Sequence, residues 1–419
     1  MKTHRIHLLM ATLAAIPFAT AGSKEGTDAS EKKAPKNGDW CEWLGDSPGE
    51  LYKNSDNPWL QSFELRGQFQ YQAIYQDGSD VNERSFHDTY DEYRRLRFGT
   101  RTEFLQYLKL AVDVNMVDDR RYRTAPDNDL DWGYDDFDTA TLEVDIDKFL
   151  DNDLFDKLEL TYGKMKMPIT GEQRQSSTEI YTIERSMLSN KLVGEESRPT
   201  GVMLDFEKAD WSGSLGMFSG EDDAEFLGGW NDGRHYFASL TWHPDDDFDI
   251  TLDYVFNDRS GSDDALGYRS ALVLGTHYDK KEWGFLTSLI YGDNGFGDPT
   301  DSARNRANRQ GDFHGVTLMP WYWIVQKRLQ LVLRYEYASS EKSEGLRLSS
   351  RYLRGDHDDA LVDVNSGRGD LYHAAYVGLN YYLCGDSAKI MGGILYEDLD
   401  TPSGDLDAIT YTVAVRTSF

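Results

Sequence analysis

Five cations stand out by their spacing. Arg66 lies in Leu65-Arg-Gly-Gln-Phe-Gln-Tyr71, Arg95, Arg97 and Arg101 share one parity in the next run, and Lys109 opens a third. In an extended chain, residues of one parity share one face. Three arginines on one face are incompatible with hydrocarbon, because an arginine turned to lipid at the bilayer midplane costs roughly 2–4 kcal/mol. Turned to water, the five would form one basic patch, since neighbouring strands lie about 5 Å apart. In a narrow, partly desolvated space such a patch concentrates anions, and each guanidinium offers a planar fork matched to phosphate or carboxylate oxygens. Glu64, Glu103, Asp113, Glu143 and Asp145 occupy the same parity in these runs and the next. The alternative is therefore a ladder of ion pairs that holds a field across a water-filled space. A second group, Arg174, Arg185, Lys191 and Arg198, sits among Glu172, Glu179, Glu184, Glu195 and Glu196. Those charges could select ions or pin their segment to a wall.

The elements that carry these residues alternate. Ile409, Tyr411, Val413 and Val415 alternate with Thr410, Thr412 and Arg416, and Leu108, Leu110, Val112 and Val114 with Lys109, Asp113 and Asn115. A period of two means strands whose faces meet different surroundings. Sixteen such runs are counted, of about 9–11 residues each, an even number as in bacterial membrane barrels. Short turns near 105, 209, 244, 280, 326 and 386 alternate with long polar segments at 76–93, 118–137, 167–197, 219–233, 257–268, 292–311, 339–370 and 398–408. The predicted fold is all-β: a transmembrane antiparallel β-barrel with short periplasmic turns and long extracellular loops. A closed barrel leaves no backbone donor unpaired in lipid. The 25 Tyr and 10 Trp suit interfacial belts better than a soluble core.

Lys2, His4 and Arg5, an apolar run over 6–18 and Ala19-Thr20-Ala21 read as a secretory signal over residues 1–21. Residues 22–58 follow as a periplasmic N-terminal segment, and 59–419 as the barrel. The formal net charge of -29 excludes a general nucleic-acid binder. Cys41 precedes the first run and Cys384 lies by a short turn, so both fall on the periplasmic side. A disulfide could tie the leading segment to the barrel there; two unpaired thiols are equally allowed, and spacing does not decide. Asp127, Asp129 and Asp131 start like a calcium loop, but Trp132 stands where an EF-hand needs Gly. Arg354-Gly-Asp356 and Arg368-Gly-Asp370 are attributed to chance in Gly- and Asp-rich stretches. There is no His-Glu-x-x-His zinc motif and no phosphate-cradling Gly-x-x-x-x-Gly-Lys loop. Neither an enzyme nor a cofactor is expected.

Several segments resemble one family. They are Leu65–Tyr71, Glu92-Tyr-Arg-Arg-Leu-Arg-Phe-Gly99 with Glu103–Leu110, Tyr162-Gly-Lys-Met-Lys-Met-Pro168 with Ile183-Glu-Arg-Ser-Met187, and Tyr376-Val-Gly-Leu-Asn-Tyr-Tyr382. As an ordered set they resemble the phosphate-selective porin O and P family. The resemblance implies a 16-stranded homotrimeric porin of the outer membrane, whose third loop, here 167–197, folds inward and narrows the pore. Basic wall residues would then attract small inorganic or organic ions, phosphate among them. Arg66, Arg95, Arg97, Arg101, Lys109, Arg174 and Arg185 are the pore-lining candidates. The acidic balance favours the alternatives of a weakly selective or cation-preferring pore; a surface-binding adhesin barrel is the alternative from another class. Selectivity rests on the ring at the narrowest point rather than on total charge.

Overall fold

The computed structural model describes residues 40–45, 48–117, 136–150, 154–194, 198–220, 230, 233–258, 266–295, 307–348, 353 and 367–419. The signal reading, the Asp127–Asp131 stretch, Glu195, Glu196 and Arg354–Asp356 lie outside the described residues.

Each alternating run is a strand. The first eight are β1 (Leu60–Ser79), β2 (Ser85–Phe104), β3 (Leu108–Asn115), β4 (Phe137–Asp145), β5 (Lys157–Lys164), β6 (Thr200–Lys208), β7 (Trp211–Ser219) and β8 (Arg234–Asp245). The second eight are β9 (Phe248–Asn257), β10 (Ser270–Asp279), β11 (Trp283–Asp293), β12 (Asp312–Val325), β13 (Leu329–Ser340), β14 (Leu371–Tyr382), β15 (Ala388–Thr401) and β16 (Gly404–Ser418). Each pairs antiparallel with the next. β16 returns to β1, from Asp407 opposite Ser79 to Ser418 opposite Gln68, and the sheet closes.

The outward parity is apolar and exposed, as a lipid-facing surface must be: Leu240, Leu252, Leu272, Leu289, Leu318, Leu333, Val377, Ile394 and Val413. Trp211, Trp242, Trp283 and Tyr322 mark the end with short turns, and Tyr75, Tyr236, Tyr291 and Tyr396 mark the other. Two aromatic girdles around an apolar band belong to a membrane barrel. No helix among the described residues is long and apolar enough to cross a membrane.

Two expected loops are strand instead. β1 and β2 each run 20 residues, through most of the polar segment 76–93. Asp80 Oδ1 closes their tight turn by accepting from the Asn82 and Arg84 N–H groups at 2.9 Å. β15 and β16 likewise reach Thr401 and Gly404, through 398–408. Polar side chains outside the membrane leave the ladder intact, so polarity alone did not mark the strand ends.

At the end with short turns, α1 (Trp40–Gly45) and a short leading strand (Glu50–Lys53) precede the barrel, and α2 (Ile146–Leu150) follows β4. The leading strand pairs with residues 62–64 of β1, next to where Phe419 and Gly67 exchange backbone hydrogen bonds. Cys41 of α1 is disulfide-bonded to Cys384 in the β14–β15 turn, with Cα atoms 4.9 Å apart.

Candidate functional site: the divided lumen

Residues 165–199, between β5 and β6, fold into the barrel. Thr170 caps α3 (Gly171–Arg174) and Ser186 caps α4 (Met187–Val193), each side-chain oxygen accepting from a first-turn N–H; Gly194, at φ 72°, ends α4. The apolar side of this loop, Met165, Met167, Ile169, Met187, Leu188, Leu192 and Val193, is buried against Phe218, Phe237, Val255, Val273, Ile290 and Phe313. Those six wall residues have inward parity. From β7 to β13 the inner face is therefore partly apolar, contrary to the simple scheme of greasy outside and wet inside. Gly315 makes the contact possible: a Cβ there would lie 2.6 Å from Leu188 Cδ1. Tyr268 Oη donates to Leu192 O at 2.7 Å, and Lys191 reaches Asn294 Oδ1 at 2.9 Å across the Phe313 ring. Glu336 of β13 accepts from the Met187 and Leu188 N–H groups at 3.1 and 2.5 Å, holding the start of α4.

The β1–β6 side is polar. Arg66 Nη1 meets Asp113 Oδ2 at 3.0 Å. It passes over Gly99, where a Cβ would lie 2.0 Å from Asp113 Oδ1. Arg95 donates to Gln70 Oε1 at 2.6 Å. Arg97 bonds Asn115 Oδ1 and Asp138 Oδ1, both at 2.7 Å, and Asp138 also holds Arg198 at 2.9 Å. Arg101 is exposed and opposite Glu64 in register. Lys109 joins Glu143 at 2.5 Å and Glu159 at 2.9 Å. So Arg66, Arg95, Arg97, Arg101 and Lys109 occupy one arc, largely as an ion-pair and hydrogen-bond ladder. Arg174 does not join them; it makes a bidentate pair with Asp253 of β9 and donates to Ser239 Oγ at 2.9 Å. Arg185 donates to Glu172 O and Gln175 O, both at 2.9 Å, within the loop. Beside it Lys166 donates to Gln175 O at 2.7 Å; burial, then the nearby Arg185 and Arg198, push its ammonium down to about 5.

Two charged residues escape a parity reading because each sits at a β-bulge. The register shifts at Gln70/Tyr71, which turns Arg94 inward onto Glu184, with Nε–Oε1 at 2.7 Å. It shifts again at Asp113/Val114, which turns Asp138 inward. An extra residue flips every side chain beyond it, and no local composition announces the flip. Arg334, Lys389 and Arg416 do have inward parity, but they are spread over three distant strands.

Ser212 Oγ stands 2.8 Å from His243 Nε2, and His243 Nδ1 2.5 Å from Asp249 Oδ1, the order of a hydrolase triad. Ser212 and its neighbours are paired in the ladders with β6 and β8, so they offer no pair of backbone donors for an oxyanion. Gly45-Asp-Ser-Pro-Gly49 has the residue types of a nucleophile elbow, and its Asp46 and Ser47 lie outside the described residues.

Solved porins share this architecture. A loop L8 deletion mutant of OmpT from Vibrio cholerae superposes with a TM-score of 0.56 at 12% identity, covering 85% of this chain and 99% of that one. The outer membrane channel DcaP of Acinetobacter baumannii gives 0.55 at 12%, with 88% and 100% covered. An anion-selective porin from Comamonas acidovorans gives 0.55 at 13%, with 85% and 99% covered. No curated protein matches. At such identities the likeness carries the fold, and the family rests on the sequence: the description "Phosphate-selective porin O and P" matches residues 63–278, from β1 to β10 and through the inward loop. A closed sixteen-stranded barrel with a lumen-filling third loop and that match together place the chain in the phosphate-selective porin O and P family of outer-membrane porins.

Proposed function

We propose that this porin conducts small hydrophilic solutes passively, without a catalytic step, along the β1–β6 arc and with a preference for small anions of the phosphate class. One observation carries the preference. In the ion pairs of that arc the cation is generally the more exposed partner. Arg66 is 40% exposed against 15% for Asp113, and Lys109 is 32% exposed against 10% for Glu159. Lys157 over Glu159 and Arg198 over Asp138 repeat the pattern. The acids lie behind the cations, so a solute meets positive charge first in a low-dielectric channel. The net charge of -29 does not describe that surface. Three copies in a homotrimer is part of the same reading, supported by the trimer form of OmpT from Vibrio cholerae.

A cation-preferring pore is favoured where the order is reversed: Asp136, near the external end of β4, is far more exposed than its partner Lys164, and Glu184 over Arg94 and Glu207 over Lys157 are reversed to a smaller degree. Planar-bilayer recording decides. The proposal expects stepwise conductance and, in a KCl gradient, a reversal potential of the sign set by chloride. A potassium-signed reversal potential would discard the anion preference, and absence of steps would discard conduction.

A further inference from the structure

Three buried cations of the lumen wall are turned onto the inward loop. The side chains of Arg334 of β13 and Lys389 of β15 are 3% and 0% exposed, against 40% for that of Arg66, and Arg416 of β16 is buried as well. What they touch is the backbone of the inward loop. Arg334 Nη1 donates to Glu184 O at 2.8 Å, and to Thr182 Oγ1 and Glu172 Oε1 at 3.2 Å. Arg416 Nη1 donates to Ser177 O at 3.3 Å and its Nη2 to Ile183 O. Lys389 Nζ donates to Ile180 O at 3.4 Å and to Asp386 Oδ1 at 2.8 Å. Two neutral donors complete the set: Asn380 Nδ2 on Tyr181 O at 2.8 Å and Gln70 Nε2 on Ser177 O at 3.0 Å.

Within residues 177–184, the carbonyls of Ser177, Ile180, Tyr181, Ile183 and Glu184 thus accept from five different wall strands. This segment has no regular secondary structure to satisfy its carbonyls, and a buried carbonyl without a donor costs free energy. Five donors from β1 and β13–β16 meet that need and set the loop at one position in the cross-section. Long cationic side chains suit the task, because they reach inward from a wall and bond strongly to a carbonyl.

We propose that Arg334, Lys389 and Arg416 are positioning residues: they set the bore of the channel by holding the loop, and they take no part in choosing ions. Positive charge inside the barrel is thereby divided between two duties, and the partners tell them apart: these three hold carbonyls of the loop, whereas Arg66, Arg97 and Lys109 pair with acids of the wall. The inference rests on the passage along β1–β6 described above.

The test uses the full-length chain in planar bilayers, recording single-channel conductance and reversal potential for Lys389→Met, Arg416→Met and the double variant. The expected result is a rise of about twofold in conductance or current noise as the loop loosens in the pore, with the reversal potential of the wild type. A reversal potential moved towards potassium as far as by Arg66→Ala, or an unchanged conductance and noise, would overturn the positioning role. A wild type without channel steps would overturn the passage itself, and the proposal with it. Should the double variant fail to fold, Ser177→Cys in the unaltered wall answers the same question. A charged methanethiosulfonate should label that buried, tethered position at least about tenfold more slowly than Arg101→Cys, since access requires local opening. Equal rates would show the loop to be loose and overturn the proposal.

Discussion

From β1 to β6 the inward side chains include Arg66, Gln70, Arg97, Lys109, Asp113, Glu143 and Glu159; from β7 to β13 they include Phe218, Phe237, Val255, Val273, Ile290 and Phe313. Both arcs have the same pleat and the same period of two. They differ in what lies on them. The first faces water and is bound by cross-strand charge pairs; the second is covered by Met167, Ile169, Leu188 and Leu192 of the inward loop and is as dry as a soluble core. A barrel of this kind thus contains a small globular interface, built by a loop on a wall, inside what is otherwise an aqueous tube.

The contrast can be broken from either side. The largest effect is expected on the dry arc. Truncating Leu188 and Leu192 to Ala removes side chains with no exposed surface, at about 2–5 kcal/mol each. Thermal unfolding in detergent should fall, and channel noise should rise as the loop loosens; an unchanged melting temperature would refute the apolar dock. Next comes Glu336→Leu, which leaves the Met187 and Leu188 N–H groups without their acceptor, at about 1–3 kcal/mol. Hydrogen exchange at those two amides should quicken while the barrel strands stay protected.

On the wet arc the same size of change should barely touch stability. Arg66→Ala or Lys109→Ala breaks partly exposed pairs worth less than about 1 kcal/mol each, yet the reversal potential should move towards cations. Asp138→Asn should move it the other way, because Asp138 is the acid shared by Arg97 and Arg198. The same sign from both variants would rule out local control of selectivity. The smallest effect is screening: between 0.1 and 1 M salt the Debye length falls from about 10 to 3 Å, so the anion preference should weaken while the bore stays constant.

The outer surface and strand count were legible because lipid enforces one rule on every outward position, and residues such as Leu110, Tyr411 and Val413 obey it. The inner surface was legible only in part. Arg66, Arg95, Arg97 and Lys109 could be grouped because three successive strands carry them. Arg94 and Asp138 could not, since a bulge reverses parity without a signature of its own. Phe237, Val255 and Phe313 looked like ordinary strand residues, because the loop that covers them comes from elsewhere in the chain. Arg174 and Arg185 were assignable to the loop but not to their partners Asp253 and the Glu172 carbonyl, which only the folded path brings near.

The bond between Cys41 and Cys384 turns most of the polypeptide into a covalent ring. Every external loop from the β1–β2 turn to the β13–β14 connection lies on that ring, and external loops are the parts that a protease in the medium can reach. One cut in any of them opens the ring into a line and separates nothing: both pieces stay joined at the periplasmic rim, where the attacker does not reach. Only the hairpin between β15 and β16 lies outside this insurance, and it is the shortest of all, with two residues between Thr401 and Gly404.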